Sequence, residues 1–185
     1  MKEYPIVMGF DDAMYQGFKA VKTQLIGVVC QGVRMVDTVR GEIDIDGNNS
    51  TDVLISLAKL KEKHVQYIIT DTITFGGFNI MDMKRVYQEI KKPIIAIIDR
   101  EINLDSVKNA LIKKFPKTFK EKLQFIINAG HLYQTEIKTA GGFSTVYFHA
   151  MGINIDEVEE LLQKACIDSK QPECTRLAHI IGRLF

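Results

Sequence analysis

Two short apolar runs constrain this chain most. Residues 65–70 read VQYIIT and residues 93–98 read PIIAII. Each is strand length, and PIIAII has no polar face at all, so it must be covered on both sides. Between them, residues 80–90 carry the 3.6-residue apolar period of a helix. Strand, helix, strand with buried strands points to parallel pairing in an α/β sheet.

Upstream, PIVMGF (5–10) reads as a buried strand ending at Asp11-Asp12. QLIGVVC (24–30) and the alternating residues 33–39 flank Gly32 and read as an antiparallel hairpin. The alternation continues to Glu42-Ile43-Asp44-Ile45-Asp46. Gly47-Asn48-Asn49-Ser50 is turn chemistry. Ser50 or Thr51 then caps a helix that shows Val53, Leu54, Leu57 and Leu60 on one face and ends near Lys63-His64. Residues 105–125 read as helical and lysine-rich, broken by Pro116, residues 143–148 as a strand, and residues 156–165 as a helix. Pro172-Glu173 opens a last one. With 185 residues and 46% apolar content, one domain over residues 1–185 is expected.

A net charge of +1 argues for no particular partner. Three cysteines without paired spacing (Cys30, Cys166 and Cys174) suggest reduced thiols and a cytoplasmic location. No apolar run approaches the ~18 residues of a membrane span, and an acidic pair interrupts the N-terminal segment before a signal core forms.

Ligands of open α/β sheets bind beyond the carboxyl ends of the strands. Three acidic positions fall at such ends: Asp11 with Asp12, Asp46 and Asp71. Converging carboxylates repel one another, and a divalent cation relieves that repulsion. Oxygen ligands without a matching Cys or His pattern favour Mg²⁺ or Mn²⁺, which suits phosphodiester hydrolysis. Each acid also has a simpler role open to it: an Asx-turn for Asp11-Asp12, a turn dipeptide for Asp46-Gly47, and a cap or turn for Asp71. A response-regulator receiver shares the acid pair, but its first strand leads into a helix, whereas residues 24–45 read as a hairpin. The strand–hairpin–helix–strand order, with acids after the first, third and fourth strands, looks like a ribonuclease H-like mixed sheet flanked by helices.

The stretches GFDDAMY (9–15), DGNNST (46–51), DTITFGGFN with the following Asp82 (71–82) and PECTRLAHII (172–181) run nearly end to end. On them the chain resembles archaeal domain-of-unknown-function family 99, the endonuclease dU homologues. It is similar, more distantly, to endonuclease V, a nuclease of deaminated bases. The resemblance implies a metal-dependent endonuclease cleaving DNA at or near deoxyuridine. Asp11, Asp46 and Asp71 would be its catalytic metal ligands, with Asp12 and Asp82 as accessory acids. Endonuclease V carries Glu where Asp46 stands and a His-containing run where GGFN stands. Asp44 and Asp52 therefore compete with Asp46 for the intermediate acid.

Around Asp71, Gly76, Gly77, Phe78, Asn79, Asp82 and Arg100 are candidate substrate contacts. Gly76-Gly77 allows close backbone approach or simply a turn. Phe75 and Phe78 stack on a base or fill the core. Asn79 reads a base edge or caps the next helix, the cap being preferred, and Asp82 shares that capping pattern. Arg100 meets a phosphate or a surface acid. Lys113, Lys114, Lys117, Lys120 and Lys122 track DNA or form a solvated face. His64, His131, His149 and His179 form no metal spacing. His149 is the one late-site candidate, and His131 or Lys138 the other residues able to line a pocket. Two rival functions stay open: a nucleic-acid-binding module of the same fold without catalysis, and a hydrolase of a small phosphorylated metabolite.

Overall fold

A computed structural model describes residues 1–14, 20–100 and 103–185. Tyr15, the last residue of the GFDDAMY stretch, lies outside them. Strands β1 (Ile6–Asp12), β2 (Lys22–Gln31), β3 (Arg34–Asp44), β4 (Tyr67–Thr70), β7 (Ile94–Ile98), β8 (Tyr133–Thr139) and β9 (Gly142–Met151) form one sheet in the order β3-β2-β1-β4-β7-β9-β8. β1, β4 and β7 run parallel at the centre, and the outer pairs are antiparallel. This is the hairpin-then-crossover order expected for the ribonuclease H-like class, and it excludes the receiver.

Helices α1 (Ser50–Lys59), α2 (Met83–Ile90), α3 (Leu104–Lys114) and α4 (Phe119–Asn128) cover one face, packing Leu54, Val86, Leu111 and Ile126 on Met8, Phe10 and Ile68. α5 (Ile155–Ala165) and α6 (Glu173–Gly182) cover the other, packing Val158, Leu161 and Ala178 on Val7, Ile69 and Ile95. The alternation of β1 therefore sends Met8, Phe10 and Asp12 towards the first layer, and Val7, Gly9 and Asp11 towards α6. α6 lies close on the sheet because position 9 is glycine. A Cβ there would stand 2.5 Å from the backbone carbon of Cys174.

Several local expectations are corrected. The segment before α2 is not helical: β5 (Thr74–Phe75) and β6 (Asn79–Ile80) form a small separate hairpin. Gly76 and Gly77, with φ of 49° and 83°, make its turn, a conformation that costs other residues energy. α2 begins only after Asp82, whose side chain caps it by accepting from the Arg85 N–H. α1 stops at Lys59, leaving Leu60 beyond its end and 68% exposed. Neither Ser50 nor Thr51 caps α1, for both lie within it. The Ser50 N–H is instead taken by the Asn79 side chain from 29 residues away, at 2.9 Å. β8 was not foreseen, although YQTEIKT alternates, with Gln134, Glu136 and Lys138 exposed between the more buried Tyr133, Thr135, Ile137 and Thr139.

Candidate active site

β1 and β4 pair in parallel up to Phe10↔Thr70, and the Asp71 N–H still donates to the Phe10 carbonyl at 3.0 Å. Asp11 and Asp71 thus occupy the next rung, side by side on adjacent strands and on the α6 side of the sheet. The C-terminal segment that enters and forms α6 closes over both. Gln171 Nε2 donates to Asp71 Oδ1 at 2.9 Å, and His179 Nδ1 lies 2.8 Å from Asp11 Oδ2. Asp11, Asp12, Asp71, Asp99 and His179 line one cleft of about 720 Å³. Its remaining wall is mostly apolar, including Ile73, Phe78, Ile80, Val107 and Ile126, with Arg100 at the edge.

Charge is held there at a cost. Burial first, then the charges of Asp71 and Asp12, pushes the Asp11 carboxyl up to about 7, against the opposing hydrogen bonds from His179 and the Asp12 N–H. Burial likewise raises Asp12 and Asp71, the latter against its bond from Gln171. Acids that resist ionisation together form a site that gains from a hard divalent cation. The donors that fit one are the Asp11 and Asp71 carboxylates, with His179 beside them. Among the described residues, no three His, Cys, Asp or Glu side chains are grouped tightly enough to hold a metal ion by themselves.

Asp46 does not join this pair. β3 lies two strands from β1, and the residue of β3 level with Asp11 is Arg40, so the chain has run past Asp11 before it reaches Asp46. Asp46 sits in a turn at φ 59°, accepts the Phe78 N–H at 2.9 Å and pairs with Lys114 at 2.8 Å. Asp44 and Asp52 are outside the cleft as well, Asp52 being paired with Arg85 at 2.6 Å. Asp12 lines the cleft but also anchors the hairpin, accepting the Gly76 N–H at 3.0 Å.

Of the candidate substrate contacts, Phe78 and Arg100 line the cleft. Gly76 is buried against Thr23 and Asp44, and Gly77 is the exposed tip of the turn. Asn79 is fully buried, donating to the Asp44 carbonyl and to Asn49 Oδ1, both at 2.8 Å. Asp82 is the α2 cap and accepts from Asn128. Phe75 is core. His149 is buried with its Nδ1 against the His131 carbonyl, and burial lowers its pKa. His131 lines a separate small cavity, and Lys138 is exposed on the edge strand β8. Lys122, expected on a solvated or DNA-tracking face, is only 1% exposed.

Two polar residues of the cleft, His179 and Asp99, and Gln171, which bonds Asp71, went unforeseen. His179 lies in PECTRLAHII but 168 residues from Asp11, so no local spacing links them. Its one signal was a place in a matched stretch. Gln171 gave none. Asp99 ends β7 as Asp71 ends β4, a parallel that the strand-end rule already contained.

A parallel-centred sheet with flanking helices and acids on adjacent strand ends defines an α/β protein of the ribonuclease H-like class. The endonuclease dU family model matches residues 6–185, and the chain belongs to that family. UPF0215 protein MJ1150 of Methanocaldococcus jannaschii is 34% identical over 188 residues, spanning 100% of this chain and 96% of its own. A crystal structure of a protein of unknown function from Archaeoglobus fulgidus superposes with a TM-score of 0.82 at 27% identity, covering 96% of both chains. Ciona intestinalis endonuclease V, solved with a 24mer DNA containing an inosine followed by a ribo-adenosine, superposes at 0.59 and 13% identity, over 95% of this chain and 83% of that one. The last likeness is one of fold.

Proposed function

We propose that this chain is a divalent-metal-dependent endonuclease that hydrolyses DNA phosphodiesters at or near a deaminated base such as deoxyuridine. The observation that carries the reading is the Asp11–Asp71 pair, adjacent on parallel strand ends and closed over by His179 and Gln171. Family membership and the likeness to an endonuclease V bound to inosine-containing DNA support nuclease chemistry on nucleic acid. Asp11 and Asp71 hold Mg²⁺ or Mn²⁺, and the bound cation supplies water activation and neutralisation of the leaving oxygen. His179 orients the Asp11 carboxylate, and Arg100 at the cleft edge meets a backbone phosphate. Phe78 presents an aromatic face to a base.

The test is nicking of a panel of duplexes, undamaged or carrying deoxyuridine or deoxyinosine, with Mg²⁺ or Mn²⁺. Asp71→Asn should abolish nicking without lowering the melting midpoint. Nicking by Asp71→Asn at the parental rate would sink the reading. One observation favours a second reading, a binding module without catalysis: the Asp46 carboxylate is spent on the Phe78 N–H and Lys114 instead of completing an acidic triad. Duplex binding without Mn²⁺ affinity or nicking would establish that reading.

A further inference from the structure

Lys122 projects from α4 into the protein, and its ammonium meets four neutral oxygens and, 4.9 Å from its centroid, the Phe115 ring. Nζ donates to the Gly47 carbonyl at 2.6 Å, to Asn48 Oδ1 at 2.6 Å, to the Phe78 carbonyl at 2.7 Å and to the Asp46 carbonyl at 3.3 Å. A methionine would fill the same volume without desolvating a charge, so what the ammonium adds is its four contacts. They join two separate segments, the turn 46–48 and the hairpin at Phe78. Of these four acceptor residues only Phe78 lines the cleft.

Phe78 is fixed at every polar backbone atom. Its N–H goes to Asp46 Oδ1 and its carbonyl to Lys122. Its ring meets Phe115 at 5.5 Å between centroids, with Lys114 Nζ 5.0 Å from its centre. One helical turn beyond Lys122, Ile126 lines the same cleft. α4 thus carries both a piece of the cleft wall and the cation that sets the piece opposite.

We propose that Lys122 is the positioning residue of the substrate wall: by holding the Phe78 carbonyl it fixes where the Phe78 ring stands in the cleft, without touching substrate. The proposal rests on the nuclease reading only for the identity of the substrate; the placement of Phe78 is measurable without it.

The chain contains no tryptophan, so Phe78→Trp installs a sole tryptophan at this point, excited selectively to the red of tyrosine absorption. In that background Lys122→Met should shift the emission to the red and raise acrylamide quenching at least twofold. Lys122→Arg should give intermediate values. Unchanged emission and quenching in a Lys122→Met protein that melts cooperatively would overturn the proposal. If Lys122→Met does not fold, Lys122→Gln is read by the same criteria.

A second arm uses a short deoxyuridine-containing single strand and Mn²⁺ alone as probes. Loss of Lys122 should weaken the strand at least tenfold and leave Mn²⁺ affinity within twofold. Equal losses of both would mean general loosening and refute a positioning role. A strand that binds no version fails the nuclease reading, while the fluorescence arm still decides Lys122.

Discussion

Asp11→Asn should stabilise the metal-free protein at pH 8. The fold lifts this carboxyl from 3.8 to about 7, chiefly by burial and then by its two acidic neighbours. At 1.36 kcal/mol per pKa unit, that is a ceiling of about 4 kcal/mol against the ionised folded state. The three carboxyls titrate together, and Asn weakens the contact with His179, so about 2 kcal/mol is the expected gain. For a chain of this size that raises the melting midpoint by roughly 6 °C. The sign follows from linkage: between pH ~4 and ~7 the folded state keeps a proton that the unfolded chain releases, so native stability falls as pH rises through that window. The gain from Asp11→Asn is therefore absent at pH 4 and complete at pH 8. Thermal denaturation of metal-stripped protein at both values measures it. Adding Mn²⁺ at pH 8 should reverse the order, because only the parent keeps both carboxylates. A variant melting at or below the parent at pH 8 without metal would refute the account of a charge-strained cleft.

Asn79→Ala leaves the Ser50 N–H without its acceptor and takes from the Asp44 carbonyl the shorter of its two donors, the Gly47 N–H remaining, and should cost about 2–3 kcal/mol in urea denaturation. A cost under about 1 kcal/mol would mean that neither group depends on Asn79. Gly9→Ala places a Cβ against the Cys174 backbone. It should cost about 2–3 kcal/mol and move the His179 ring resonances in an NMR spectrum, whereas unmoved resonances would show that α6 does not ride on residue 9. Asp46→Asn should leave Mn²⁺ affinity by calorimetry within twofold, since its carboxylate faces Phe78 and Lys114. A loss as large as that of Asp71→Asn would restore Asp46 as a ligand.

Features that repeat at short range were readable in advance. PIIAII and YIIT announce buried parallel strands, Gly32 announces the hairpin, and the strand-end rule singles out Asp11 and Asp71. What escaped depends on long-range geometry. Lys122 looks like one more lysine in a basic run until its helix is docked on the 46–48 turn. Asn79 satisfies the rule for capping the helix after it, yet serves the Ser50 N–H of the helix before it. Asp46 ends its strand run like the others, but only the sheet order shows that β2 stands between it and Asp11. The double glycine is a turn, as one of its two readings held, and what it turns is a two-strand hairpin too short to alternate visibly.

The contact between Asp11 and His179 spans 168 positions of chain, and this has a consequence during synthesis. When the last residue of β7, Ile98, is added, Gln171 is still 73 codons and His179 81 codons away, so the strands that place the paired carboxylates are complete well before their cover. A nascent chain therefore presents an open acidic cleft without its cover. If the reading of the site is right, the protein remains unable to cut nucleic acid until nearly all of it has been translated.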